Sequence, residues 1–296
     1  MPINHSRPFT AILSACLVMT FMPGAVRAEE AAETEKTKLL LSAGEVKELI
    51  DAADQSAVIL LDVQDRDAFS KAHLPGARWI DVAEWKAAAM ADSGDGLTNR
   101  QRWIELGSQL GLARDGRIVV YGGALPNAAR VWWLLKYLGC QHVSLLNGGI
   151  DFWQKQDLPV SHKPTDFKTS EFQPTFQKHR LARIDNVKQA VQDGSLFVFD
   201  TRSKAEFAAG RVPGAAHLEW VRLLTDDGTF KSAAELRRMF QALNLKPQHT
   251  AVTYCRSGGR ASVEAFALEL AGYENVQNYF CSWQEYSSDA EAPVEK

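Results

Sequence analysis

Apolar residues recur in two rhythms along the chain. Short unbroken runs, "VILLDV" from Val58, "IVVY" from Ile118, "LFVFD" from Leu196 and "AVTY" from Ala251, have the length and β-branched content of strands buried on both faces. Between them the period lengthens. "SAAELRRMFQALNL" puts Leu236, Phe240 and Leu243 on one helical face, and "VEAFALEL" does the same with Val263, Phe266, Ala267 and Leu270. Ser42 and Glu45 in "SAGEVKELI" stand at capping-box spacing and predict a helix start. Strands alternating with helices predict an α/β fold, each unit a mainly parallel sheet flanked by helices.

The pattern is written twice. Asp62 matches Asp200, Phe69 matches Phe207, and Pro75-Gly76-Ala77 match Pro213-Gly214-Ala215, all at an offset of 138. Further on the offset is 133: Trp103 matches Leu236, Leu110 matches Leu243, Gly139 matches Gly272 and Val143 matches Val276. The difference, 138 − 133, gives the first copy five extra residues, which fall in "EWKAAAMADSGDG". Two copies of this size predict a duplicated domain rather than a solenoid. We place domain one at 38–160 and domain two at 181–288. Residues 161–180, polar, with prolines and no sustained period, form the linker.

Composition narrows the class. With 46% hydrophobic and 23% charged residues and a net charge of −3, the 296-residue chain has the balance of a soluble globular protein and no basic excess for nucleic acid. Residues 1–28 combine a lightly basic start, an apolar run from Phe9 to Met22, and small residues at Val26 and Ala28. They read as a secretory signal cleaved after Ala28, in preference to a lipoprotein processed at Cys16 or a retained anchor. The expectation is an exported protein, most simply periplasmic in a bacterium, with no stable membrane span after processing and a monomer by default. Cleavage leaves Cys140, Cys255 and Cys281, an odd number in an oxidising compartment, so at least one thiol stays outside any intramolecular disulfide. The seven histidines are scattered and none pairs with cysteine at ligand spacing, so no metal is expected. No nucleotide-binding glycine fingerprint follows an early strand, so no diffusible cofactor is implied.

The candidate chemistry lies in "AVTYCRSGGRAS", Ala251 to Ser262. In a parallel sheet, reactive groups collect at the carboxyl ends of strands, where the next helix presents its amino terminus. Cys255 falls at that edge, between "AVTY" and the helix beginning near Arg260. Gly258 and Gly259 allow positive φ and let successive N–H groups turn inward as an anion-binding nest. The helix dipole, those amides, Arg256 and Arg260 all favour negative charge on sulfur, hence a nucleophile in a cradle for an anionic substrate. The competing expectation is a buried strand-end cysteine in a flexible turn.

"DTR…F…GRVPGA" from Asp200, followed by "YCRSGGRA" from Tyr254, resembles the rhodanese family of sulfurtransferases, and the duplication resembles its tandem-domain members. The likeness runs from about Leu39 to Ser287. It implies that Cys255 carries a sulfane sulfur as a persulfide between a small anionic donor and a thiol or cyanide acceptor. It further implies that the loop from Arg256 through Ser257, Gly258, Gly259 and Arg260 to Ala261 cradles it, that Arg256 and Arg260 bind the donor, and that Arg202 lies near the pocket. Asp200 is expected to be structural, and the alternative for Arg202 is a surface or loop-tethering ion pair. Domain one departs from the family's pattern, with Gly122 in place of Cys255 and Gln64 in place of Arg202, and resembles the non-catalytic half of tandem members. Cys140 is expected to be structural. Cys281, in "NYFCSW", is either a partly buried thiol or a redox partner of Cys255.

Arg256 is shared with thiosulfate-type loops and "SGGRA" with single-domain members. Two arginines favour thiosulfate over 3-mercaptopyruvate as donor. Two other classes stay open. Phosphatases and arsenate reductases use a cysteine loop closed by arginine, but carry one residue more between them than Arg256, Ser257, Gly258 and Gly259 make here. A non-enzymatic binding module would suit domain one and leave the Cys255 loop without a task.

Overall fold

Beyond Met1, the computed structural model describes residues 38–52 and 58–296; the expected leader, 1–28, lies outside them. Domain one runs β1 (Leu40–Leu41), α1 (Ala43–Asp51), β2 (Val58–Asp62), α2 (Arg66–Lys71), β3 (Arg78–Trp79), α3 (Val82–Met90), α4 (Arg100–Gln109), β4 (Arg117–Tyr121), α5 (Leu125–Tyr137), β5 (His142–Leu146) and α6 (Gly149–Lys155). Its strands form a parallel sheet in the order β1-β5-β4-β2-β3. Domain two repeats this with α7 (Ile184–Asp193), β6 (Phe197–Asp200), α8 (Lys204–Ala209), β7 (Ala216–His217), α9 (Ala233–Ala242), β8 (Ala251–Tyr254), α10 (Gly259–Leu270), β9 (Val276–Asn278) and α11 (Ser282–Tyr286). Its sheet, also parallel, is ordered β7-β6-β8-β9, and Leu181 bridges to Asn278 in the place that β1 fills in domain one.

The repeat is carried by register as well as sequence. Asp62 lies opposite Tyr121 in the first sheet and Asp200 opposite Tyr254 in the second. Each tyrosine hydroxyl accepts a backbone N–H from the loop entering the next edge strand, Leu74 before β3 at 2.9 Å and Val212 before β7 at 3.1 Å. The expected start of α1 is present, with Ser42 and Glu45 capping it reciprocally, and the structure adds the same device at α8 (Ser203 and Glu206) and α9 (Ser232 and Glu235).

Strand alternation decides how the domains join. Val119 and Tyr121 of β4 face α1, where Val46 and Ile50 are buried, while Ile118 and Val120 face α5. In domain two Val198 and Val252 face α7, while Phe199 and Ala251 face α9 and α10. The inner faces and α5 and α10 share one continuous core, in which the Trp132 ring meets Phe266 edge-on at 4.9 Å. Both sheets thus bury one face against a common helical layer.

Residues 161–180, read from sequence as a linker, are packed against domain one: Phe172 is 1% exposed, and a Cβ on Gly107 would lie 2.2 Å from its ring. The fold also extends past residue 288. Glu295 exchanges backbone hydrogen bonds with Arg211 at 2.8 and 3.0 Å, closing the tail over domain two.

One core position breaks the pattern. Glu264 on α10 is fully buried, neither carboxylate oxygen has a hydrogen-bond partner, and the offset of 133 pairs it with buried Val131. Burial, with the Asp200 charge second, pushes its pKa well up. A carboxyl whose pKa is higher folded than unfolded supports folding below its unfolded value, about 4.3, and lowers stability as pH rises through the folded value. Glu264→Met is therefore expected to gain about 1–3 kcal/mol at pH 7, with the gain shrinking as pH falls toward 4. Urea unfolding at both pH values checks this; a difference independent of pH contradicts it.

Candidate active site

Cys255 sits where β8 ends and α10 begins, 2% exposed. The helix has no side-chain N-cap. Gly258 takes the cap position at φ +87°, and a Cβ there would meet the Phe280 carbonyl oxygen at 2.7 Å, so glycine is required. The turn brings the Gly258 N–H to 3.1 Å from Cys255 Sγ. A second support comes from Ser282, at φ +58° despite its side chain. Its hydroxyl accepts from the N–H of Cys255 at 3.1 Å and of Gly258 at 3.2 Å, donates to the Tyr279 carbonyl at 2.8 Å, and stands 4.0 Å from the sulfur. Ser262 and Asn278 brace the first turn of α10, Ser262 Oγ donating to the Gly258 carbonyl and Asn278 Nδ2 donating to Ser262 Oγ.

The arginines separate by partner. Arg202, 2% exposed, grips Asp200 with Nε and Nη2 at 2.6–3.1 Å, donates to the Gly210 carbonyl at 2.7 Å and lies 4.3 Å over the Trp283 ring. Arg260 is held bidentately by Glu206 at 2.7 and 2.8 Å. That bond draws Glu206 down to about 2 and raises Arg260, with Cys255 adding to the rise. Arg256 is exposed and, among the described residues, has no carboxylate partner. Beside the loop a cavity of about 430 Å³ is walled by Arg202, Glu206, Gly210, Arg256, Trp283 and Gln284. Cys255 is not one of its walls. Of the expected anion-binding arginines, Arg256 is thus the one whose charge is uncommitted, while Arg202 and Arg260 are already neutralised by acids.

The remaining candidates fall into place around this. The expected loop residues Ser257, Gly259 and Ala261 form the bend and first turn. The other two thiols are buried, and burial pushes both Cys140 and Cys281 up to about 12. The segment after β9 does run beside the loop, the Trp283 N–H donating to the Cys255 carbonyl at 3.0 Å. It is Ser282 that meets the sulfur, whereas Cys281 Sγ lies against Gly94 of domain one, where a Cβ would be 2.4 Å away. The sequence pattern missed Ser282; its only signal was the neighbouring "CSW". In domain one the position matching Cys255 has no room for a side chain, since a Cβ on Gly122 would lie 2.5 Å from Val63 Cγ2. Among the described residues, no cluster of His, Cys, Asp or Glu could hold a metal, and no helix is long and apolar enough to cross a membrane.

A thiol in a backbone cradle at the helix end of a parallel sheet, present in one of two copies, is the chemical feature that sets domain two apart from domain one. The rhodanese-like domain model matches residues 42–156 and 184–289, and the chain belongs to the rhodanese family, as a sulfurtransferase. It is 34% identical over 280 residues, 87% of this chain and 96% of the relative, to a Haloferax volcanii protein provisionally named a thiosulfate sulfurtransferase. It is 30% identical to the thiosulfate sulfurtransferase of Corynebacterium glutamicum, over 78% of this chain and 82% of that one. Among solved structures, the 3-mercaptopyruvate sulfotransferase SseA of Escherichia coli superposes with a TM-score of 0.70 at 25% identity, covering 83% of this chain and 99% of that one.

Proposed function

We propose that the protein transfers sulfane sulfur from thiosulfate to a thiol or cyanide through a persulfide on Cys255. The observation that carries this is the Gly258 N–H at 3.1 Å from a sulfur whose neighbouring cavity offers the uncommitted guanidinium of Arg256. Cys255 thiolate attacks the outer sulfur of thiosulfate; the Cys255 S–S bond forms as the donor's S–S bond breaks, and the electron pair leaves with sulfite. Acceptor thiolate or cyanide then attacks the outer persulfide sulfur, taking it as a persulfide or thiocyanate and returning the Cys255 thiolate. The Gly258 amide and Arg260 stabilise charge on sulfur, and Arg256 holds the departing sulfite dianion. The names of both thiosulfate relatives support this donor, and the leader in residues 1–28 supports export to an oxidising compartment.

Arg256→Gln is expected to raise the KM for thiosulfate about tenfold or more, as loss of a charged contact does, with the fold intact because the side chain is exposed. Thiocyanate release from thiosulfate and cyanide checks it. An unchanged KM, or phosphate release from an aryl phosphate without thiocyanate, overturns the assignment.

A further inference from the structure

Domain one reaches the middle of the Cys255 loop. Arg130 on α5 donates from Nη1 to the Ser257 carbonyl at 2.6 Å. That carbonyl and the Gly258 N–H belong to one planar trans peptide and point in opposite directions. Holding the oxygen toward domain one therefore holds the hydrogen toward Cys255 Sγ and Ser282 Oγ, where it is found at 3.1 and 3.2 Å. Gly258 leaves this peptide free to rotate on conformational grounds. A turned peptide would set a carbonyl oxygen, negative in its partial charge, against the nucleophile.

Arg130 is built into this place. It is 6% exposed, its guanidinium carbon lies 5.5 Å over the Phe280 ring, and a Cβ on Gly259 would be 2.7 Å from its Nη2. The offset of 133 pairs it with Val263, so the cation occurs only in the copy that lacks the thiol. Burial pushes Arg130 down and the charge on Cys255 opposes that shift; Lys86 on α3 is within the same electrostatic reach of Cys255.

We propose that Arg130 is a positioning residue for Cys255, a latch from the domain with Gly122 in place of the loop cysteine, which fixes the Ser257–Gly258 peptide with its N–H toward the sulfur. The latch rests on Cys255 being the nucleophile of the proposed transfer. Its test reads the thiol itself: the rate at which Cys255 displaces iodide from iodoacetamide, followed by peptide mapping, with the ¹⁵N amide resonance of Gly258 in the full chain. Arg130→Met is expected to slow alkylation about tenfold, the scale of a lost hydrogen bond from a charged donor, and to shift or split the Gly258 resonance. Arg130→Lys, which keeps a charged donor, is expected to recover most of the rate. Wild-type alkylation with an unmoved Gly258 resonance in Arg130→Met overturns the latch. Should Arg130→Met not fold, Arg130→Gln takes its place: a rate at least threefold below Arg130→Lys supports the latch and equal rates overturn it. Wild type that alkylates readily yet takes up no sulfur from thiosulfate sinks the transfer assignment and leaves the latch standing.

Discussion

Cys255→Ser is expected to abolish sulfur transfer while leaving the fold in place. A serine hydroxyl fits the space and can accept the Gly258 N–H as the sulfur does. Its oxygen is un-ionised near neutral pH and forms no stable bond to sulfane sulfur, so both half-reactions lose their carrier. Transfer should fall by at least about 10³-fold, the scale seen when a covalent nucleophile is removed. Unfolding should change by less than about 1 kcal/mol. Residual turnover within tenfold of wild type would mean that another group carries the sulfur. The buried thiols Cys140 and Cys281 are poor substitutes, since burial holds both up at about 12 and the thiolate is the attacking form.

The largest effect on stability is expected at Arg202. Its guanidinium and the Asp200 carboxylate form a buried pair, with the Tyr254 hydroxyl a further donor to the same carboxylate. Arg202→Met leaves that carboxylate buried without its counter-charge and frees the Gly210 carbonyl, a loss of about 3–5 kcal/mol for breaking one side of a buried pair. Removing both partners should cost less than the sum of the single changes, because Asp200→Asn relieves the stranded charge. Chemical unfolding of the two single variants and the double checks this. If Arg202→Met instead unfolds like wild type and raises the donor KM, the arginine is a substrate group and the ion pair incidental.

How much of this could be read beforehand follows the range of each interaction. The parallel sheets, the duplication and the Cys255 junction were legible because they rest on local rhythm and on two copies that can be laid over each other, down to Asp62 and Asp200. The fate of the arginines was not. Arg260 is neutralised by Glu206, 54 residues away, and no spacing rule connects them. Arg202 could have been suspected from Asp200 two positions earlier, and the ion pair was indeed one of its two readings. Ser282 rather than Cys281 meets the sulfur because a left-handed turn at φ +58° re-aims consecutive side chains. Arg130 stands in "NAARVWW" with nothing local to mark it, since its target is a backbone carbonyl in the other domain. The packed run 161–180 was hidden by its polar composition, which conceals the anchor Phe172 and backbone bonds such as Thr175 N–H to the Leu138 carbonyl.

The central claim is that Cys255 carries the sulfur. Intact-protein mass spectrometry after exposure to thiosulfate addresses it most directly. The account predicts a gain of one sulfur atom, localised to the peptide containing Cys255, lost on adding cyanide and absent in Cys255→Ser. No gain in wild type, or the same gain in Cys255→Ser, would contradict it.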